Sequence, residues 1–288
     1  MEWLVKLEKA INYIEFNLDK DISYEEASKI AGCSLYCFQR IFSYIAGISL
    51  SEYVRRRKMT QAAFELQRTN SKVIDVALKY GYSSPTSFNR AFQSIHGITP
   101  IMAKNAGCTL CAYPSIKFSI NIEGDSVMPY CIEEKNEIRI VGIRTPLVED
   151  MEENMKNIPL FWKQAFDKNQ IQNVAKLSIG ESSKILGVSV YNNPTDIYYY
   201  IATASNAPVP DGMAQYIIPK ATWVIFKNDG PFKESVQSVF RRFFTEFLPC
   251  SGYEYAGLPD IEVYPYAEKQ LLRGYSEVWI AIKKTREG

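Results

Sequence analysis

A single histidine, His96, stands in the 288 residues, and its scarcity closes off several kinds of chemistry. No Ser-His-Asp or Cys-His set is available for ordinary hydrolysis, and no histidine-rich metal cluster can form. Cysteine is also sparse: six are scattered along the chain, too few for a disulfide scaffold and suited to a reducing cytosol. Cys108-x-x-Cys111 is a lone CxxC, and a zinc ion would want two more ligands, of which Cys131 is one candidate. These thiols therefore read as reduced residues in or near a linker, with no metal and no other cofactor expected. No apolar run approaches the roughly 18–20 residues that span a membrane. The first residues, MEWLVKLEKAINYIEFNLDKD, lack the basic start, apolar core and small-residue cleavage site of a signal peptide. A cytoplasmic protein without a membrane partner is the expectation.

A strong charge of either sign is missing too, since the net charge is +1. That balance hides an asymmetry. Residues 1–107 carry 14 Lys/Arg against 10 Asp/Glu, and the remainder carries 19 against 22. The basic part suits a polyanion and the acidic part does not. Length points to about two domains, and 47% hydrophobic with 23% charged residues describes an ordinary globular chain.

What is present is a near-repeat. Ala31-Gly32-Cys33-Ser34, Phe38-Gln39-Arg40-Ile41-Phe42 and Gly47-Ile48-Ser49 return as Tyr80-Gly81-Tyr82-Ser83, Phe88-Asn89-Arg90-Ala91-Phe92 and Gly97-Ile98-Thr99. The offset is 49 residues at the first glycines and 50 afterwards. Around this repeat the chain reads as about seven helices. Trp3, Leu4, Leu7, Ala10, Ile11 and Ile14 form one apolar stripe at helical spacing. Ser23, Ser34, Ser49, Ser71 and Ser84 are candidate N-caps, with capping boxes at Ser23-x-x-Glu26 and Ser49-x-x-Glu52 and a proline at the first helical position after Ser84. Thr99-Pro100 opens a last short helix. The predicted architecture is two three-helix units joined by a long helix that begins after Ser49.

On the third helix Phe38, Ile41, Phe42 and Ile45 should be buried, leaving Tyr36, Gln39 and Arg40 outward. On the sixth, Phe88, Phe92 and Ile95 should be buried, leaving Thr86, Asn89 and Arg90 outward. Arg takes guanine bidentately, and Asn or Gln takes adenine. A duplicated helix-turn-helix with an outward Arg on each second helix is a device for reading two stretches of one duplex. Arg55, Arg56 and Arg57 cannot all face one way, so some are expected in salt bridges within the domain.

Residues 5–106, and above all IDVALKYGYSSPTSFNRAFQSIHGITP, resemble the DNA-binding domain of the AraC/XylS family of bacterial transcription regulators. The resemblance implies two helix-turn-helix units that read successive major grooves of promoter DNA. It places Tyr36, Gln39, Arg40, Pro85, Thr86, Asn89 and Arg90 at the bases, although Pro85 lacks a donor there.

Residues 108–124 lack helical periodicity and read as a linker, with SIKFSINIE as a docking strand. From residue 125 the texture turns to strands rich in Val, Ile and Tyr. A second internal repeat appears. EIRIVGIRTP, a helix around PLFWKQAFDK, ILGVSVY and IYYYIAT form one copy; KATWVIFKNDGPF, a helix around SVQSVFRRFFTEF, DIEVYPY and EVWIAIK form the other. Both are β-α-β-β. The fold class expected is therefore multidomain: an all-α domain with two helix-turn-helix units, then an α+β domain of two pseudo-symmetric repeats. Alignment of the copies sets Ser189 on Glu262 and Tyr198 on Glu277, so the acids occur in the second copy alone. Glu262 shares a strand face with Tyr264, and Glu277 shares one with Trp279. If both faces look inward, two carboxylates sit among aromatics.

GPF at 230–232, IEVY and YSEVWIAI make residues 136–284 resemble the GyrI-like effector-binding domain found in multidrug-responsive regulators. The resemblance implies a pocket between the two copies, lined by aromatics around an acid. By position Glu262 and Glu277 are the acids and Tyr264 and Trp279 ring walls, with Tyr191, Tyr200, Trp223 and Phe232 as further walls; Phe161 and Trp162 read as core. An aromatic molecule or a lipophilic cation suits such a pocket through ring stacking and cation–π attraction. The whole chain reads as a ligand-responsive transcription regulator rather than an enzyme, acting through the DNA-binding units or through contact with RNA polymerase. The alternative is a small-molecule hydrolase using a pocket Glu and Tyr.

Overall fold

The computed structural model describes residues 2–118, 127–148, 151–179, 183–191, 197–228, 232–267, 270–271 and 275–284. The chain divides into two units, Met1–Ser119 and Ile120–Gly288. No helix among the described residues is long and apolar enough to cross a membrane.

The first unit is helical: α1 (Glu2–Phe16), α2 (Tyr24–Ala31), α3 (Leu35–Ala46), α4 (Leu50–Arg68), α5 (Val73–Lys79) and α6 (Pro85–His96), followed by a 3-10 turn at Met102–Lys104. Serine hydroxyls accept amide hydrogens at the starts of α2, α3, α4 and α6, from Ser23, Ser34, Ser49 and Ser84. The cap expected at Ser71 is absent. Lys72 holds the N-cap position of α5 with no side-chain bond, and the Ser71 hydroxyl takes a bond from Thr69 instead. Gly32 and its repeat Gly81 have φ of +76° and +85°, the left-handed turn that each helix-turn-helix requires.

Two cores result. Leu7, Ile11, Ile14, Phe38, Phe42 and Tyr53 fill one, built from α1–α3 and the start of α4. Met59, Leu66, Val76, Phe88, Phe92 and Ile95 fill the other, built from the rest of α4 with α5 and α6. Arg55, Arg56 and Arg57 are all paired within the unit, the first two with Glu52 and the third with Glu15.

The segment read as a linker begins as part of this unit. Leu110 and Tyr113 pack on the second core, and Ile116 and Phe118 pack on the first. Hydrogen bonds pin it along the way. The Cys111 amide donates to His96 Nδ1 at 3.2 Å, the Tyr113 amide to Thr60 Oγ1 at 3.1 Å, and the Ile116 amide to the Tyr53 hydroxyl at 3.2 Å. The docking strand expected over residues 115–123 is not a strand in its described part: residues 115–118 are held by side chains and pair with no strand, and residues 119–123 lie outside the described residues.

Among the described residues, the second unit is one ten-stranded antiparallel sheet with helices. Its elements are β1 (Tyr130–Lys135), β2 (Ile138–Pro146), α7 (Met151–Asp167), α8 (Gln170–Ala175), β3 (Lys184–Val190), β4 (Tyr198–Ala204), β5 (Ala214–Ile218), β6 (Ala221–Asn228), α9 (Phe232–Arg242), β7 (Tyr253–Tyr255), β8 (Asp260–Ala267), β9 (Gln270–Leu271) and β10 (Ser276–Lys284). A π-helical turn, Phe243–Phe247, continues α9. The strand order is β1-β6-β10-β8-β3-β4-β2-β5, so the two β-α-β-β copies meet at β8 and β3. Arms precede each copy, and they are exchanged: β1 pairs with β6 of the second copy, and β5 with β2 of the first.

That exchange shapes the sheet. β1 reaches β2 through residues 136–137, and β5 reaches β6 through residues 219–220. Three Cα steps cover at most about 11 Å. Strands near opposite ends of the order must therefore come close, and the sheet curls. The inner face holds an apolar cluster that includes Leu186, Val188, Tyr200, Trp223, Ile261, Val263 and Ala281. The outer face carries the helices, with α8 on β2–β4 and α9 on β6 and β10.

Candidate functional site

Strand register decides which of the expected pocket residues meet. Glu262 stands opposite Val278 on β10 and Gly187 on β3, whereas Glu277 stands opposite Val263. Directly opposed residues share a face. Glu277 therefore joins Val263 on the inner face, and Glu262 lies on the helix-covered face. The single pocket with two acids is not formed: the pleat alternates sides at every residue, and the register of β8 and β10 is offset by one relative to that expectation.

Around Glu262 the helix face assembles a connected set. The Tyr264 hydroxyl donates to Glu262 Oε2 at 2.6 Å, and the Tyr199 hydroxyl donates to the same oxygen at 3.2 Å. Trp162 Nε1 on α7 donates to the Tyr199 hydroxyl at 2.9 Å. The Trp162 ring meets Tyr264 edge-on, with centroids 5.3 Å apart, and Phe166 lies 6.1 Å further along α7 with its side chain 46% exposed. Glycine at 187 makes the space: a Cβ there would stand 2.3 Å from the Tyr199 hydroxyl and 3.2 Å from Glu262 Oε2. Burial, and then the charge of Glu262, raise the Tyr264 phenol far above its ordinary range, so it stays a proton donor. Glu262 itself is half-buried.

Tyr191 lies on the helix side of the second copy, where its hydroxyl meets that of Tyr255 and donates to the Leu258 carbonyl at 2.7 Å. Phe232 opens α9, and its side chain lies outside the described residues, as do Gly230 and Pro231. Tyr199 and Trp162 are the members that sequence reasoning missed or assigned to core. In the run Tyr198-Tyr199-Tyr200 the repeat alignment and the resemblance point to the outer two, yet strand alternation sends the middle ring alone to the side of Glu262.

Glu277, Trp279, Tyr200 and Trp223 belong to the inner face, where rings already carry the protein's own cations. Lys135 Nζ sits 5.0 Å from the Trp279 ring centroid, and the Arg144 guanidinium 3.9 Å from that of Tyr198, donating to the Tyr200 hydroxyl at 3.1 Å. Glu277 accepts from Trp279 Nε1 at 2.9 Å and from the Tyr275 hydroxyl at 3.1 Å. Trp223 is fully buried.

The two candidate reading helices differ. On α6, Pro85, Thr86 and Arg90 are exposed and Asn89 is half-buried, as the pattern predicts. On α3, Tyr36 and Arg40 are buried, at 7% and 4% exposure, and Gln39 is half-buried. The cause is local. Tyr36 and Tyr44 flank Arg40 one turn away on either side; Arg40 Nε donates to the Tyr44 hydroxyl at 3.2 Å, and its guanidinium lies 5.3 Å from that ring centroid. The equivalent neighbours of Arg90 are Thr86 and Ser94, which are too small to cover it.

Comparison with known proteins bears on both units. Residues 131–282 match the family model described as integron-associated effector binding protein, and residues 27–105 match a helix-turn-helix domain. The transcriptional activator AarP of Providencia stuartii is 43% identical over 88 residues, 31% of this chain and 65% of that protein. The chain thus spans a little under two thirds of that relative. The multiple antibiotic resistance protein MarA of Salmonella typhimurium is 32% identical over 96 residues, 33% of this chain and 76% of its own. Among solved structures, an integron cassette protein from the mobile metagenome of Vibrio cholerae is 17% identical, with a TM-score of 0.38 over 54% of this chain and 95% of its own.

Proposed function

Since the chain belongs to the integron-associated effector binding proteins through its second unit and to the AraC-type helix-turn-helix regulators through its first, we propose that it is a ligand-responsive transcription regulator. Residues 1–107 bind promoter DNA, with α6 as the principal reader through Thr86, Asn89 and Arg90, and with Pro85 against the backbone. α3 adds Gln39, while Tyr36 and Arg40 shape its surface. Residues 125–288 bind the effector, and residues 108–124 connect the two. The effector class is an aromatic or lipophilic cation bound at Glu262.

One observation carries the effector reading: a half-buried carboxylate receives two phenol hydroxyls beside the Trp162 ring. A carboxylate in a low-dielectric site favours a cation that arrives without a tight hydration shell. Aromatic walls add about 0.5–2 kcal/mol of cation–π attraction. The inner-face rings are poorer hosts, because Arg144 and Lys135 occupy them already. Binding must favour one DNA-binding state over another to regulate, either through the helix-turn-helix units or through a contact with RNA polymerase.

The test is calorimetric titration of the full chain with tetraphenylphosphonium and with a neutral analogue of matched size, followed by promoter mobility shifts with and without the cation. Saturable binding that falls at least tenfold in Glu262→Gln supports the reading. Equal affinity for the neutral analogue, or no change in the variant, removes it. The Glu262–Tyr264 pair also favours a second reading, in which Glu262 acts as general base and Tyr264 as hydrogen-bond donor in hydrolysis of an electrophile. Turnover of such an electrophile that is lost in Glu262→Gln would select it.

A further inference from the structure

We propose that the inner face of the curled sheet holds a second ligand site, distinct from that of Glu262, for a small apolar carboxylate of about the size of benzoate. The observation is a cleft of about 120 Å³ whose apolar walls are Leu186, Ile218, Ile261, Val263 and Trp279, with Lys184 at its rim. Ile261 and Val263 alternate with Glu262 along β8, so the cleft and the carboxylate of Glu262 open on opposite sides of one strand.

Size and chemistry define the occupant. A dry apolar cavity of about 150 Å³ accepts a benzene ring; at about 120 Å³ this open cleft seats most of one ring or a short branched alkyl chain, with the remainder at its mouth. The floor is rigid, since Leu186, Ile218, Ile261 and Val263 are buried within the sheet, and the Trp279 indole is fixed by its bond to Glu277. Polarity comes from the rim. Ser178 and Thr203 also line the cleft, and the Thr203 hydroxyl is committed to the Lys184 carbonyl at 2.8 Å. The Lys184 side chain is exposed, and among the described residues its ammonium has no carboxylate within ion-pairing distance. Neighbouring lysines are committed: Lys135 pairs with Glu133, and Lys220 with Glu134. Glu133 is held chiefly by its hydrogen bond from Lys135, and Lys184 acts on it only weakly.

A ligand with an apolar body and one carboxylate satisfies both parts. Its body displaces water from the Trp279 and Val263 walls, and its carboxylate meets Lys184 at the mouth. A cation of the same shape would meet the Lys184 ammonium at the mouth and be repelled.

Calorimetry on the full chain with benzoate, toluene and benzylammonium tests this. Benzoate should bind, toluene more weakly, and benzylammonium not at all. Lys184→Met should weaken benzoate at least tenfold while leaving tetraphenylphosphonium binding and the melting temperature unchanged. Because Lys184 is exposed, the variant should fold; Ile218→Phe, which fills the cleft from its floor, gives a second loss of benzoate binding. Benzoate affinity equal in wild type and Lys184→Met overturns the proposal, as does absence of benzoate binding at millimolar concentration. Displacement of benzoate by tetraphenylphosphonium would overturn the separation of the two sites. Failure of tetraphenylphosphonium alone would count against the Glu262 site and leave the benzoate result standing.

Discussion

Arg40 and Arg90 occupy equivalent positions in a duplicated motif, yet Arg40 is 4% exposed and packed on Tyr44 while Arg90 is exposed at the surface of α6. The duplication has preserved the residue and changed its surroundings. Arg90→Ala should weaken binding to a specific promoter site by about 1–3 kcal/mol, the range for losing a bidentate base contact. Arg40→Ala should act mainly on stability, through the lost contact with Tyr44. Mobility shifts on specific and random duplexes, with thermal melts of each variant, separate the two effects. An equal loss on random DNA for Arg90→Ala would mean that it touches phosphate alone.

Gly187 should not tolerate a side chain. Its Cβ would press on the Tyr199 hydroxyl and approach Glu262, so Gly187→Ala must push Tyr199 away from the carboxylate. A cost of about 1–3 kcal/mol in stability is expected from such overpacking. A weaker response to lipophilic cations should accompany it. Retention of both properties would show that the strand shifts freely there. Combining Gly187→Ala with Tyr199→Phe measures how much of the loss passes through that one hydroxyl.

The pair of Arg57 and Glu15 should matter more than surface ion pairs. Arg57 Nη2 stands 2.8 Å from Glu15 Oε2, and the Tyr53 hydroxyl donates to Glu15 Oε1 at 2.6 Å. Both charges are largely covered, so removing one strands the other. Glu15→Ala should cost about 3–5 kcal/mol, whereas Lys156→Ala, whose partner Glu152 is at the surface, should cost under about 1 kcal/mol. Urea denaturation of the full chain, followed by far-ultraviolet circular dichroism for the helical unit, checks the contrast.

His96 gives the first unit an acid limit. The ring is buried, its Nδ1 accepts from the Cys111 amide, and its Nε2 lies 3.1 Å from the Met59 carbonyl. That set fits the neutral form with the proton on Nε2. Burial holds its pKa below the ordinary 6.5, only partly offset by the Met59 bond. The unfolded chain therefore binds the proton more readily than the folded one. The stability due to the neutral ring is complete above pH of about 6.5 and is lost as pH falls toward the lowered folded value. Melting temperatures between pH 8 and 5 should fall more steeply in wild type than in His96→Gln. Parallel curves would place the acid sensitivity elsewhere.

Much of the helical unit is legible from local chemistry. Serine caps, turn glycines and apolar spacing act over a few residues, and α2, α3, α4 and α6 begin where those signals stand. What failed there was neighbour context: no pattern on α3 announces that Arg40 will be buried against Tyr44. The two β-α-β-β copies were readable as well, because each strand carries its own alternation. The pocket was not. Whether Glu262 and Glu277 share a side depends on the register of β8 against β10, a relation between strands that no single strand encodes. The arms β1 and β5 escaped for the same reason, since their partners lie in the other copy.

The segment from Cys111 to Phe118 leaves the second helical core and ends against the first. The sequence reads this stretch as a linker with a docking strand. Phe118 itself packs on the first core, beside α1 and the start of α4. A pull on that end would load the Ile116–Tyr53 bond before it reached the Cys111–His96 bond. Under load the strip would peel first from the half with the buried arginine and only then from the half with the exposed one.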